Sequence, residues 1–132
     1  MQDIDKIIAL QNEYFLSQAT KSYTFRKKQL KTLYKIISDN TKKIEEALYQ
    51  DLGKPAFEAY STEIGFVLNS ITYTLRHLKR WMKPKKYLSP IFLFGSYDAI
   101  TYVPYGISLI IGPFHYPFQL VIEPLIGAIA AG

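Results

Sequence analysis

The 132-residue sequence has no cysteine, two histidines and one tryptophan. Without cysteine there is no disulfide, thiolate zinc site, iron–sulfur cluster or thiol nucleophile, and two isolated histidines predict no metal site. Neither a G-x-G-x-x-G run nor a P-loop is present, which removes both glycine-loop phosphate cradles. Ser and Asp are too scattered to argue a Ser-His-Asp arrangement. The start, Met1-Gln2-Asp3-Ile4-Asp5, is acidic, with no apolar run behind a basic head. No secretory signal is read, and a cytoplasmic protein is expected. Charge is also missing from residues 99–122. That stretch is long enough to count as a membrane span, but Pro104, Gly106, Gly112, Pro113 and Pro117 interrupt any helix through it, so a membrane partner is not expected.

What is present fits one ordinary domain. Apolar residues make up 48% and charged residues 20%, which excludes a disordered chain. The net charge of +5 is unevenly placed: all 16 Lys and Arg lie within residues 1–86, whereas 87–132 carries only Asp98 and Glu123. The later segment therefore reads as material to be covered on more than one face.

Apolar spacing predicts four helical segments. Ile4, Ile7, Ile8, Tyr14 and Phe15 fall near one stripe. Leu30, Leu33, Tyr34 and Ile37 repeat the three-four spacing after Ser22 or Thr24 as N-cap. A third helix, capped by Asn40 or Thr41, would bury Ile44, Ala47, Leu48 and Leu52 and stop at Gly53 and Pro55. The fourth, about 56–82, carries Phe57, Tyr60, Ile64, Val67, Leu68, Ile71, Leu75, Leu78 and Met82, with a second stripe through Phe66 and Tyr73. Arg76, Lys79 and Arg80 stand at its C-terminal end, where the helix dipole favours cations. After Pro84 the pattern turns to strands: 97–103 alternates, 104–106 is turn chemistry, and 107–111 reads as a buried strand ending at Gly112-Pro113. A helix follows from about Pro117, bent by Pro124, with a small-residue face of Gly127, Ala128, Ala130 and Ala131. Its apolar run ends without a polar close, which predicts an interrupted element.

Two groups invite a functional reading. One is the set of basic clusters, Arg76, Lys79, Arg80, Lys83, Lys85 and Lys86, and Lys21, Arg26, Lys27, Lys28, Lys31 and Lys35. With only three arginines and no accompanying motif, these read better as solvated helix surface than as a nucleic-acid or anionic-lipid site. The other is the loop Gly112-Pro113-Phe114-His115-Tyr116-Pro117-Phe118, between a strand and a helix start, where open α/β sheets place their ligands. On physical grounds alone, a lone His115 flanked by aromatics is more often a packed residue than a catalytic one.

The segments Asp51-Leu52-Gly53-Lys54-Pro55, Glu63-Ile64, Leu78-Lys79-Arg80-Trp81-Met82-Lys83-Pro84, Pro104-Tyr105-Gly106, Leu109-Ile110-Ile111-Gly112-Pro113, Tyr116-Pro117-Phe118 and Glu123-Pro124-Leu125-Ile126-Gly127-Ala128 resemble, in this order, the N-terminal part of a class 3, fatty-aldehyde-type aldehyde dehydrogenase. The resemblance implies an incomplete α/β fold. Residues 1–86 would be N-terminal helices, 87–106 a linker and β-hairpin region, and 107–132 the first strand and helix of a Rossmann-like coenzyme domain.

It also implies oxidation of an aldehyde to its acid with NAD or NADP, through a cysteine thiolate and a glutamate-activated water. The family's cysteine, catalytic glutamate, coenzyme-ribose Lys/Glu pair and oligomerisation strand would all lie beyond Gly132, so this chain alone is expected to be inactive. His115 stands where the family has the asparagine that holds the oxyanion. By resemblance, Ile111, Gly112, Pro113 and Phe114 would border the coenzyme, and Phe66, Tyr116 and Leu120 would line the aldehyde tunnel. The competing expectation is a non-catalytic module that docks on a full-length relative or on a second copy. The exposed strand edges of the later segment predict marginal stability or aggregation.

Overall fold

A computed structural model describes residues 4–132. Helix α1 spans Ile4–Leu16 and buries no residue. Its apolar stripe stays largely open, with Ile4 67% and Tyr14 51% exposed. A single 3-10 turn, Ala19–Lys21, leads into α2, Tyr23–Asp39. Ser22, and not Thr24, is its N-cap: the Ser22 hydroxyl accepts from the Phe25 amide at 3.1 Å.

Helix α3 runs Thr41–Leu52. The two residues expected to cap its start instead finish α2: Asn40 Nδ2 donates to Ile36 O at 2.8 Å, and Thr41 Oγ1 donates to Ser38 O at 3.0 Å. With no residue between α2 and α3 other than Asn40, these side chains serve the carbonyls behind them. Gly53 ends α3 in the left-handed region at φ +65°, a conformation glycine adopts without Cβ strain.

The long fourth helix forms with one interruption. Helix α4, Ala56–Ala59, passes through a π-helical turn, Tyr60–Ile64, into α5, Gly65–Trp81. The turn seats the Tyr60 carbonyl against Gly65, where a Cβ would stand 3.0 Å from that oxygen. A π-turn inserts about one residue, rotating everything N-terminal to it by roughly 100° around the axis. The periodicity expected across 56–82 therefore breaks: Phe57 is 84% exposed and Tyr60 48%, while Ala59 and Glu63 take the buried face.

Strand β1, Lys85–Leu88, pairs antiparallel with β2, Tyr97–Ile100, with Lys85 opposite Ile100 and Leu88 opposite Tyr97. The hairpin thus begins just inside the region read as helical, and β2 stops short of the expected 103. Residues 107–111 correct the expectation of a buried strand. No described strand pairs with them, and Leu109 and Ile111 are 86% and 82% exposed.

Helix α6, Gln119–Ala131, with Pro124 inside it, packs on α5 and α2. The core lies between these three helices and the π-turn: Leu30 and Ile37 from α2, Ile64 from the turn, Val67, Ile71 and Leu78 from α5, and Ile126 from α6. Fully burying such a side chain contributes about 1.5–3 kcal/mol, and this cluster is what fixes α6 on the bundle. No described helix is long and apolar enough to cross a membrane.

Candidate functional site around the start of α6

Two buried charges grip α6 at its ends. At the N-terminus, the first backbone amides of a helix lack intrahelical partners and carry the positive end of its dipole. The Glu63 carboxylate, fully buried in the π-turn, supplies the partner: Oε2 accepts from Phe118 N at 3.0 Å and Gln119 N at 3.1 Å. Oε1 pairs with the Lys54 ammonium, which comes from the turn after α3. At the other end, Arg26 donates from Nη1 to Ala130 O at 3.0 Å and from Nε to Thr20 O at 3.2 Å. Arg26 is only 8% exposed, and burial lowers its pKa below the usual arginine value. Its place in a solvated basic cluster is corrected accordingly. A third link joins α6 to α5, the Ser70 hydroxyl donating to Glu123 Oε1.

The loop before α6 is pinned by the same groups. Lys54 Nζ lies 4.2 Å from the centroid of the Tyr116 ring. Tyr116 sits at φ +48°, in the left-handed region that is sparsely populated by bulky residues. Gly112 packs so closely on α6 that a Cβ there would come within 2.2 Å of Val121 Cγ2. Between these fixed points stands His115, exposed, with Phe114 and Tyr116 edge-on to its ring at 5.6 and 6.2 Å between centroids. Its ring makes no hydrogen bond among the described residues.

The structure thus brings Gly112, Phe114, His115 and Tyr116 together on one loop and places Leu120 in the first turn of α6. Phe66 is on the exposed face of α5, 49% accessible. Clefts of about 380, 940 and 470 Å³ open on the described surface, and none of these three is lined by His115, Phe66, Tyr116 or Leu120. No cluster of metal-ligating side chains occurs among the described residues.

Lys54, Glu63 and Arg26 are the buried charged groups that periodicity missed. The sequence carried a signal for one of them: Glu63 falls four residues before Val67 and eight before Ile71, on their apolar stripe, where a carboxylate needs a partner.

The aldehyde dehydrogenase family model matches residues 1–132. The chain is 55% identical over 119 residues to 4,4'-diaponeurosporen-aldehyde dehydrogenase of Staphylococcus aureus, covering 90% of this chain and 26% of that protein. It is 36% identical over 131 residues to aldehyde dehydrogenase family 3 member F1 of Arabidopsis thaliana, covering 99% of this chain and 27% of the relative. A solved structure of the substrate-bound state of Staphylococcus aureus AldH superposes with a TM-score of 0.96 at 51% identity, over 100% of this chain and 29% of that one. The chain therefore spans about a quarter of the length of the relatives it matches.

Proposed function

The chain belongs to the aldehyde dehydrogenase family, and from that premise we propose that it supplies the N-terminal portion of an NAD(P)-dependent aldehyde oxidation. The observation that carries this reading is the loop 112–118: a pinned turn that holds one outward imidazole at a helix start, in a chain whose fold matches a substrate-bound dehydrogenase. Its own contribution is an oxyanion donor and two walls. His115, donating through one ring nitrogen, stands where the aldehyde oxygen gains charge. Phe66, Tyr116 and Leu120 give an apolar surface suited to a long apolar aldehyde, in keeping with a relative named for 4,4'-diaponeurosporen-aldehyde. The nucleophile is not among these residues, since the sequence has no cysteine.

The residues fit one wall of a dinucleotide site. Gly112 leaves no room for a side chain beside Val121, and exposed Ile111 and Phe114 present apolar faces and unpaired backbone. When bound, NAD(P) supplies the hydride acceptor. Ile111, Gly112, Pro113 and Phe114 would border it, while no residue here cradles its phosphates. We place the protein in the cytoplasm.

An imidazole donates from a different reach than an amide, and losing an oxyanion donor lowers turnover by about 10²–10³. The test is His115→Ala, beside His115→Asn, in the chain completed by the remaining segment of a relative. A fall in kcat of that order in the Ala variant, with little change in aldehyde KM and with kcat kept in the Asn variant, supports the oxyanion role, and an unchanged kcat in His115→Ala removes it.

A second reading, a non-catalytic module that docks on a longer dehydrogenase chain, is favoured by one observation. Leu88, Phe94, Leu109 and Phe114 stand 86–100% exposed in residues 87–116, more apolar surface than a free monomer ordinarily shows. Stable co-purification with such a chain, without turnover, would support it. A soluble monomer that binds no such chain would remove it.

A further inference from the structure

A buried carboxylate that holds three donors at once fixes the relative placement of every segment that supplies them. Glu63 is that group here. It ties the turn after α3, through Lys54, to the amides of Phe118 and Gln119 at the start of α6. Lys54 carries a second contact, its ammonium lying over the Tyr116 ring at 4.2 Å. Tyr116 is the residue held at φ +48°, and it follows His115 directly. Backbone in that region persists only where its surroundings over-determine it. The surroundings include these two side chains, Lys54 on the ring and Glu63 on the amides two and three residues later, beside the Leu120 amide that donates to the Tyr116 carbonyl at 3.0 Å. Glu63 belongs to the π-turn, and such turns recur at functional sites.

We infer that Lys54 and Glu63 are positioning residues, a buried ion pair that holds residues 116–119 in one conformation and so presents the exposed His115 just before the start of α6. They act through the loop, with no contact to substrate. The chemical consequence rests on the aldehyde reading above, whereas the claim about the loop does not.

The test compares Lys54→Met, Lys54→Arg and Glu63→Gln in the 132-residue chain by amide hydrogen exchange and by the ring resonances of His115 and Tyr116. In Lys54→Met, exchange at Phe118 and Gln119 should rise about 10- to 100-fold while Ile71 and Leu78 stay protected, and both rings should shift. Lys54→Arg keeps the charge and a ring contact, so it should lie closer to the wild type than the Met variant does. Glu63→Gln keeps an acceptor without the charge and should fall between. Unchanged loop amides and ring resonances in Lys54→Met would overturn the inference. So would loop exchange that rises only in step with the whole core, or a failure of both Lys54→Met and Glu63→Gln to fold, because either outcome assigns the pair to general stability. In the completed enzyme, a loosened loop with unchanged kcat would remove the aldehyde reading and leave the positioning role standing. A tight loop with lost kcat would do the reverse.

Discussion

Replacing Arg26 by methionine measures how firmly α6 is held at its C-terminal end. Arg26 is 8% exposed, and its guanidinium donates to Ala130 O at 3.0 Å and Thr20 O at 3.2 Å, joining α2 to the last turn of α6 and to the turn before α2. A hydrogen bond to a charged group contributes about 1.5–3 kcal/mol, but burying the charge costs part of that, as the lowered pKa of Arg26 reflects. Methionine fills much of the same volume and leaves two carbonyls near the surface, where water reaches them. The net loss should therefore be about 2–3 kcal/mol, a large share of the roughly 5–15 kcal/mol typical of a domain. Urea unfolding followed by circular dichroism at 222 nm measures it, with Lys28→Met on the exposed side of α2 as control. The control should change stability by less than about 0.5 kcal/mol. If Arg26→Met costs no more than the control, Arg26 is not an anchor and α6 is held by its apolar face alone.

Other substitutions test neighbouring parts of the argument. Ser22→Ala removes the cap on α2 and should cost about 1 kcal/mol in the same urea assay, with Thr24→Ala near zero. Gly53→Ala forces a Cβ into left-handed backbone and should destabilise by about 1 kcal/mol although open space surrounds it. Gly112→Ala meets Val121 Cγ2 at 2.2 Å, so it should cost about 1–3 kcal/mol and displace the His115 resonances, whereas Gly127→Ala, with nothing nearby, should leave those resonances in place.

Much of the bundle was legible because burial at helical spacing leaves a pattern. Leu30, Ile37, Val67, Ile71 and Leu78 were expected on buried faces and are buried. The misreadings each have a local cause. Phe57 and Tyr60 keep perfect spacing with Ile64, yet the π-turn shifts the phase between them, and nothing in apolar spacing records a backbone insertion. Asn40 and Thr41 are good N-cap types, but with so short a connection their side chains reach the carbonyls of α2 first. Arg26 is one of a run of cations, and its burial depends on where the end of α6 comes to rest, more than a hundred residues away in sequence. The segment 107–111 has the composition of a central strand, and composition alone does not supply a pairing partner. At the site, the loop and His115 were visible in the motif. The ion pair that holds them was not, because Lys54 and Glu63 approach only once α3, the π-turn and α6 have assembled.

The most direct test of the central claim is to express this chain together with the remaining segment of the Staphylococcus aureus relative, and to follow reduction of NAD and NADP with a long apolar aldehyde. The account predicts that the two segments bind each other, that turnover appears only in their presence together, and that His115→Ala lowers kcat. Turnover by this chain alone, or a bound and folded pair that remains inactive even with His115→Asn, would contradict it.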